Sequence, residues 1–216
     1  MRSGILISLL VIGTVAMVAG AGTLAYFSDT ETSTGNTFTA GTLNLQVGDA
    51  DPTDEKISIS DLKPGDSGNA ADWTVTNTGS ITGFLSISIS SITNNENGLT
   101  DPEQEAGDTT SNEGELGSYL KVSIWLDMDQ DGAWDSGDIA LKSDGSIVTY
   151  EESQEKPYDY LNSYGGKSWG ITSMASGDAF DFMVDYEFPP ADNDDTTQSD
   201  SAVFDITFSL EQTIPI

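Results

Sequence analysis

The chain has 216 residues with no cysteine and no histidine, which excludes disulfide staples, Ser-His-Asp and Cys-His nucleophilic sites and His-based zinc sites. Acidic residues outnumber basic ones 36 to 7, for a formal charge of −29, so the surface repels nucleic acid and anionic membranes and attracts divalent cations. The length suits one domain, and folding such a chain buries roughly 70% of its unfolded surface.

Met1-Arg2-Ser3 carries one positive charge, residues 4–22 carry none, and residues 5–18 are strongly apolar. Thr23 and Ala25 place small residues at −3 and −1 of a cut after Ala25, the pattern of a secretory signal peptide that leaves Tyr26 as the new N-terminus. An uncleaved anchor is the competing reading, because about 18 uncharged residues just span a bilayer. Gly13, Gly20, Gly22 and the small-residue exit favour cleavage. Arg2 is the sole arginine, so cleavage leaves six lysines and a charge one unit more negative. The expected organisation is a signal peptide over 1–25, an arm over 26–41 and a β domain over 42–216.

The arm is rich in serine and threonine. Phe38, Ala40 and Thr42 are offset by two, whereas Leu43, Leu45 and Val47 form the opposite register. The switch falls at Gly41, where a bulge lets the inward face change sides. Tyr26 and Phe27 have no place in that strand, which makes them candidates for packing in a neighbouring molecule.

Ile57 and Ile59 alternate with serines as a short strand, and Pro64-Gly65-Asp66 makes a turn. Residues 73–77 form the next strand, closed by Asn77-Thr78-Gly79. Leu85, Ile87 and Ile89 face one way and serines the other, the mark of a half-buried antiparallel strand. Residues 94–118 show little periodicity and read as a long loop. Val122, Ile124 and Leu126 face inward on a further strand. Short strands follow over 139–142 and 147–150, and residues 151–164 suit a short helix interrupted at Pro157. Phe180, Phe182, Val184, Tyr186 and Phe188 alternate without a break, as do Phe204, Ile206, Phe208 and Leu210. These two late strands are expected to form the core centre. Short strands, frequent turns and no long helical period predict an all-β sandwich.

The sharpest chemical signal is the run from Asp127 to Asp138. Asp127, Asp129, Asp131, Asp135 and Asp138 fall at positions 1, 3, 5, 9 and 12 of a twelve-residue loop, with Gly132 at position 6. Calcium takes 6–8 hard oxygen ligands, and a tight turn at position 6 lets the first three carboxylates converge. Ala133 offers its backbone carbonyl at position 7, and Trp134 sits where such loops carry an apolar anchor. Position 12 is Asp rather than Glu, which shortens its reach, and the flanks read as strands rather than the helices of an EF-hand. An acidic hairpin turn on an acidic protein is the bland alternative. The expected ion is structural calcium, bound at roughly 10⁻⁴–10⁻³ M as in extracellular modules. Residues 192–195 are a weaker acidic loop.

The run AYFSDTETSTGNTFTAGTLNL, followed by Leu62-Lys63-Pro64-Gly65-Asp66, Asn77-Thr78-Gly79-Ser80 and the late block NDDTTQSDSAVFDITFSLEQ, resembles the TasA/camelysin family of SipW-processed secreted proteins. Residues 93–191 match more loosely. Members include the fibre protein of biofilm matrix in spore-forming bacteria, and archaeal relatives form bundling pili. The resemblance implies a jelly-roll β-sandwich that polymerises head to tail by donating its N-terminal strand, with Tyr26, Phe27, Phe38 and Ala40 in the donor. Its implied partners are further copies of itself and a SipW-type signal peptidase, with no nucleic acid and no membrane after cleavage. The implied location is the extracellular matrix or cell surface.

Camelysin-like proteins have been classed as metallopeptidases, yet zincin chemistry needs the histidines of H-E-x-x-H, and this chain has none. A non-enzymatic role is therefore expected. A monomeric adhesin or carbohydrate-binding domain, using Trp125, Trp134 and Trp169 as exposed platforms, is the rival to the fibre subunit.

Overall fold

The computed structural model describes Gly4, Ile7, Leu10 and Val11, residues 39–190 and residues 195–212. The chain divides into two units, 1–39 and 40–216. In the first, Gly4, Ile7, Leu10 and Val11 are helical and exposed. Among the described residues no helix is long and apolar enough to cross a membrane.

The second unit is an antiparallel β-sandwich. Its larger sheet holds β1 (Leu45–Val47), β2 (Ser67–Asn77), β5 (Lys121–Asp127), β6 (Ile139–Leu141), β7 (Ile147–Thr149), β8 (Asp159–Tyr160) and β10 (Ala179–Glu187). The order is β1-β2-β10-β5-β6-β7, and β8 pairs with β5 beside β6. A three-stranded sheet faces it, made of β3 (Gly83–Ile89), β9 (Ser168–Met174) and β12 (Ile206–Glu211) in the order β12-β3-β9. A two-stranded ribbon joins β4 (Thr93–Asn95) to β11 (Ser201–Val203).

Period-two patterning explains the core. Ala71, Trp73 and Val75 of β2, Leu85, Ile87 and Ile89 of β3, Val122, Ile124 and Leu126 of β5, and Phe180, Phe182 and Val184 of β10 are all buried. Phe182 is the hub. Its ring stacks on Trp73 at 5.7 Å and meets Phe208 of the opposite sheet edge-on at 5.0 Å. Each such buried side chain contributes roughly 1.5–3 kcal/mol.

Several expectations change. β12 packs against the core without being buried at its centre as β10 is: Phe208 meets Phe182, yet Ile206, Phe208 and Leu210 are only half-buried, and β12 is an edge strand paired with β3 alone among the described residues. Ile57 and Ile59 form no strand; they lie in coil with no ladder partner among the described residues, and Ile59 is exposed. Among the described residues the first strand begins at Leu45, and Thr39 to Asn44 form none. Gly41 matters through close approach rather than a bulge, since a Cβ there would stand 2.1 Å from Ile81. Residues 94–118 hold α1 (Asp101–Ala106) and most of α2 (Leu116–Tyr119), and β4 ends at Asn95. The helix expected over 151–164 is confined to α3 (Leu161–Tyr164), beyond the fixed φ of Pro157 and the β8 pairing.

Candidate functional site

The loop 127–138 is the turn of the β5–β6 hairpin, whose ladder pairs Leu126 with Ile139. Asp127 and Asp138 are fully buried at its two roots, and their carboxylates shape it. Asp127 accepts the amides of Gln130 at 2.7 Å and Gly132 at 2.6 Å. Asp138 accepts the amides of Met128 and Asp135, both at 2.9 Å. Asp131 accepts the amide of the exposed Ala133 at 2.8 Å. Gly132 turns the chain at φ 80°, a left-handed conformation that glycine adopts without cost.

This folding brings carboxylate oxygens of Asp127, Asp129 and Asp131 within 4.8 Å of one another. Asp135 and Asp138 stand outside that group, with Asp138 engaged in closing the loop. The Asp129 carboxyl is pushed up by desolvation first, then by the charges of Asp131 and Asp135. Burial also raises Asp138, against the lowering effect of its two amide donors. All-oxygen donors converging on one point suit calcium, so the first three positions fit the ion on chemistry. Trp134 anchors the loop, packing edge-on against Trp125 at 5.8 Å and against Tyr150 at 5.9 Å.

A second acidic group was not visible in the sequence. Glu96 follows β4, and Asp200 precedes β11; the antiparallel pairing of Asn95 with Ser201 sets them side by side. Glu103 is the N3 residue of α1, where its carboxylate accepts the Thr100 amide in a capping box, and it is fully buried. Asp108 lies just past the α1 C-cap, Gly107, and Glu115 is the N-cap residue of α2. Oxygens of Glu96, Glu103 and Asp200 lie within 4.8 Å of one another, as do those of Glu96, Asp108 and Glu115.

Burial, then the Asp108 charge, pushes the Glu115 carboxyl up to about 6. Burial also raises Glu96 and Asp200; for Glu96 the charges of Glu103, Asp200 and Asp108 add to it. Asp108 is held low by the amide and hydroxyl of Thr110, both at 2.7 Å. The one local signal was Thr100-Asp101-Pro102-Glu103, a capping box with proline in the first turn. Nothing local could tie Asp200 to it.

A third feature is a groove of about 1070 Å³ between the sheets. Val47, Trp73, Leu120, Leu161, Phe188 and Phe208 line it, and the coil over 55–64 forms one wall. Ile206 and Phe208 of edge strand β12 face it, which accounts for their partial exposure.

Ala25, Tyr26, Phe27 and Phe38, the residues expected at the cut and in the donor strand, lie outside the described residues, as do residues 191–194. Ala40 is exposed coil. The tryptophans expected as exposed platforms are packing residues instead. Trp125 and Trp169 are each 1% exposed, Trp134 is partly buried, and the Trp125 ring is covered by Lys156 at 4.7 Å. Their indoles are large apolar bodies that the sandwich buries, with Trp169 donating to the Lys142 carbonyl at 2.9 Å.

A family model described as camelysin metallo-endopeptidase matches residues 3–215. No curated protein matches the chain.

Proposed function

The chain belongs to the camelysin metallo-endopeptidase family, and from that membership and an open groove with a mixed polar and apolar lining we propose that it is a secreted structural subunit that polymerises head to tail. The arm over 26–41 of one copy pairs, in the next, with the edge of β12 that has no ladder partner among the described residues. The observation that carries this reading is the groove beside β12, where an edge strand leaves Ile206 and Phe208 half-buried. An extended peptide laid there would satisfy unpaired backbone groups and cover apolar side chains together, the physics of β-strand addition. The contact is head to tail, so repetition gives a filament rather than a closed dimer. Loss of the leader after Ala25 precedes assembly, since a free N-terminus is what enters the neighbour.

Structural calcium in the loop 127–138 belongs to this reading. Asp127, Asp129 and Asp131 would hold the ion, and it would stiffen the β5–β6 hairpin. The family's description as a peptidase stands against a chain with no histidine or cysteine to serve as metal ligand, base or nucleophile. We therefore assign no catalytic residue.

Copies carrying a charge near −29 repel one another, and the screening length is about 10 Å at 0.1 M salt and about 3 Å at 1 M. Assembly accordingly depends on ionic strength or divalent cations. Electron microscopy of purified protein beginning at Tyr26 tests the proposal. Filaments are expected in salt or calcium, and compact particles from a chain beginning at Phe38. A synthetic peptide of residues 26–40 in excess is expected to shorten the filaments. Filaments of equal length from the arm-deleted chain would overturn donor-strand assembly.

A further inference from the structure

We propose that the segment 96–115 together with Asp200 forms a second divalent-cation site, of the calcium class and separate from the loop 127–138. The argument begins with oxygens that have no partner. Both carboxylate oxygens of Glu96, Oε1 of Glu103, Oδ2 of Asp108, Oε2 of Glu115 and Oδ1 of Asp200 are buried and accept no hydrogen bond among the described residues. Glu103 is fully buried and Asp108 is 9% exposed, so solvent does not hydrate the free oxygens of either.

Buried carboxylates are ordinarily paired or bound to metal, because an uncompensated buried charge is costly. Three of the lysines are engaged elsewhere: Lys63, Lys142 and Lys156 pair with Asp66, Asp144 and Asp185, all remote from this group in the chain. The other oxygen of several members is already engaged in holding the site open. Asp108 Oδ1 accepts from Thr110, Glu103 Oε2 from the Thr100 amide, and Asp200 Oδ2 from the amides of Glu115 and Leu116. Glu103, Asp108 and Asp200 are thus each anchored by one oxygen and present the other.

The donor set selects the ion. Every donor is a hard oxygen, with no imidazole or thiolate, which points to calcium or magnesium rather than zinc or copper. Magnesium keeps several waters and demands octahedral geometry at about 2.0–2.1 Å, whereas calcium takes 6–8 oxygens, from protein and water, at about 2.3–2.6 Å in flexible geometry. Oxygens bound to one calcium ion at such distances stand no more than roughly 5 Å apart, and each group of three lies within 4.8 Å, inside that limit. Glu96 belongs to both groups and has two unpartnered oxygens, so it is the central ligand.

The test counts ions on the full chain. After equilibrium dialysis against calcium at about 10 mM, above the ~10⁻³ M range of weak extracellular sites, bound calcium is measured by elemental analysis. The wild type is compared with Glu96→Gln/Glu103→Gln and with Asp129→Asn/Asp131→Asn. The 96/103 variant is expected to lose at least one ion that the 129/131 variant retains. In chelator its melting temperature should equal or exceed that of the wild type, since two repelling charges are gone. An ion count unchanged from wild type in the 96/103 variant would overturn the site.

A measurement on wild-type protein guards against a variant that does not fold. Glutamyl endopeptidase should cut within 96–115 about tenfold more slowly in 10 mM calcium than in chelator at matched ionic strength, the protection a ligand at ~10 Kd confers on a segment that must open. Equal cutting rates would also overturn it.

Discussion

The loop 127–138 and the group around Glu96 are both acidic, yet they handle their charge in opposite ways. In the loop, the buried carboxylates of Asp127 and Asp138 are spent on backbone amides, and Asp129 and Asp131 are exposed. In the Glu96 group, six carboxylate oxygens are buried with no donor. A loop that already satisfies its own turns keeps its shape when the cation leaves. A nest of unpaired oxygens does not. The acidic motif that is easiest to read is therefore the one that depends less on an ion.

The largest expected effect is chelation. Calcium at about 100 times its Kd stabilises a protein by about 2.7 kcal/mol, or roughly 5–10 °C in melting temperature at ~2–4 °C per kcal/mol for a domain of this size. Calorimetry in calcium and in EGTA should assign most of that shift to the Glu96 group. If Asp129→Asn/Asp131→Asn removes the greater share, the comparison inverts. Next comes Gly114→Ala. A Cβ there would lie 2.7 Å from both the Asn95 carbonyl oxygen and the Asp200 carboxyl carbon. We expect a loss of about 1–3 kcal/mol from overpacking and a weakened calcium response in the same melting curves.

The matched change in the loop, Gly132→Ala, meets no atom within 4 Å and strains only the backbone at its positive φ. That costs roughly 1–2 kcal/mol, and denaturant unfolding should show it below the Gly114 value. The smallest effect is on pH dependence. The Glu115 carboxyl sits at about 6 when folded against an ordinary 4.5, so the folded chain holds its proton more tightly. In chelator, stability should fall as pH rises from about 4.5 to about 6. In saturating calcium the slope should reverse, because the ligands must be deprotonated to bind. Parallel pH profiles with and without calcium would remove Glu115 from the ligand set.

Much of the sandwich was legible because its strands carry period-two patterns that burial obeys: Leu85, Ile87 and Ile89 are buried as the alternation with serine requires. The convergence of Asp127, Asp129 and Asp131 was legible for a related reason, since all three carboxylates come from one short stretch. What was not legible depends on pairing across the chain. Phe204, Ile206 and Phe208 alternate as cleanly as Phe180 and Phe182, and only the strand order reveals that β12 is an edge. Ile57 and Ile59 have strand chemistry without a ladder partner. The Glu96 group assembles only when β4 meets β11, which places Asp200 against a segment read as featureless. Asp200 and Leu116 also line the groove, so an ion at this group would help fix one of its walls.

Asn77 gives the sandwich a direction. Its side-chain amide is completely buried and donates to the carbonyls of Ile81 at 2.9 Å and Met174 at 3.0 Å, while its carbonyl accepts the Gly79 amide. One residue of β2 thereby latches the larger sheet to the last residue of β9, at the end of β2 away from Ser67. Phe188, just past the β10 residue that pairs with Ser67, lines the groove. A side-chain tie between the sheets thus stands at one end of β2, and the groove reaches the other. A strand of the proposed kind would meet that tie as a stop, so the host rather than the guest would set its depth.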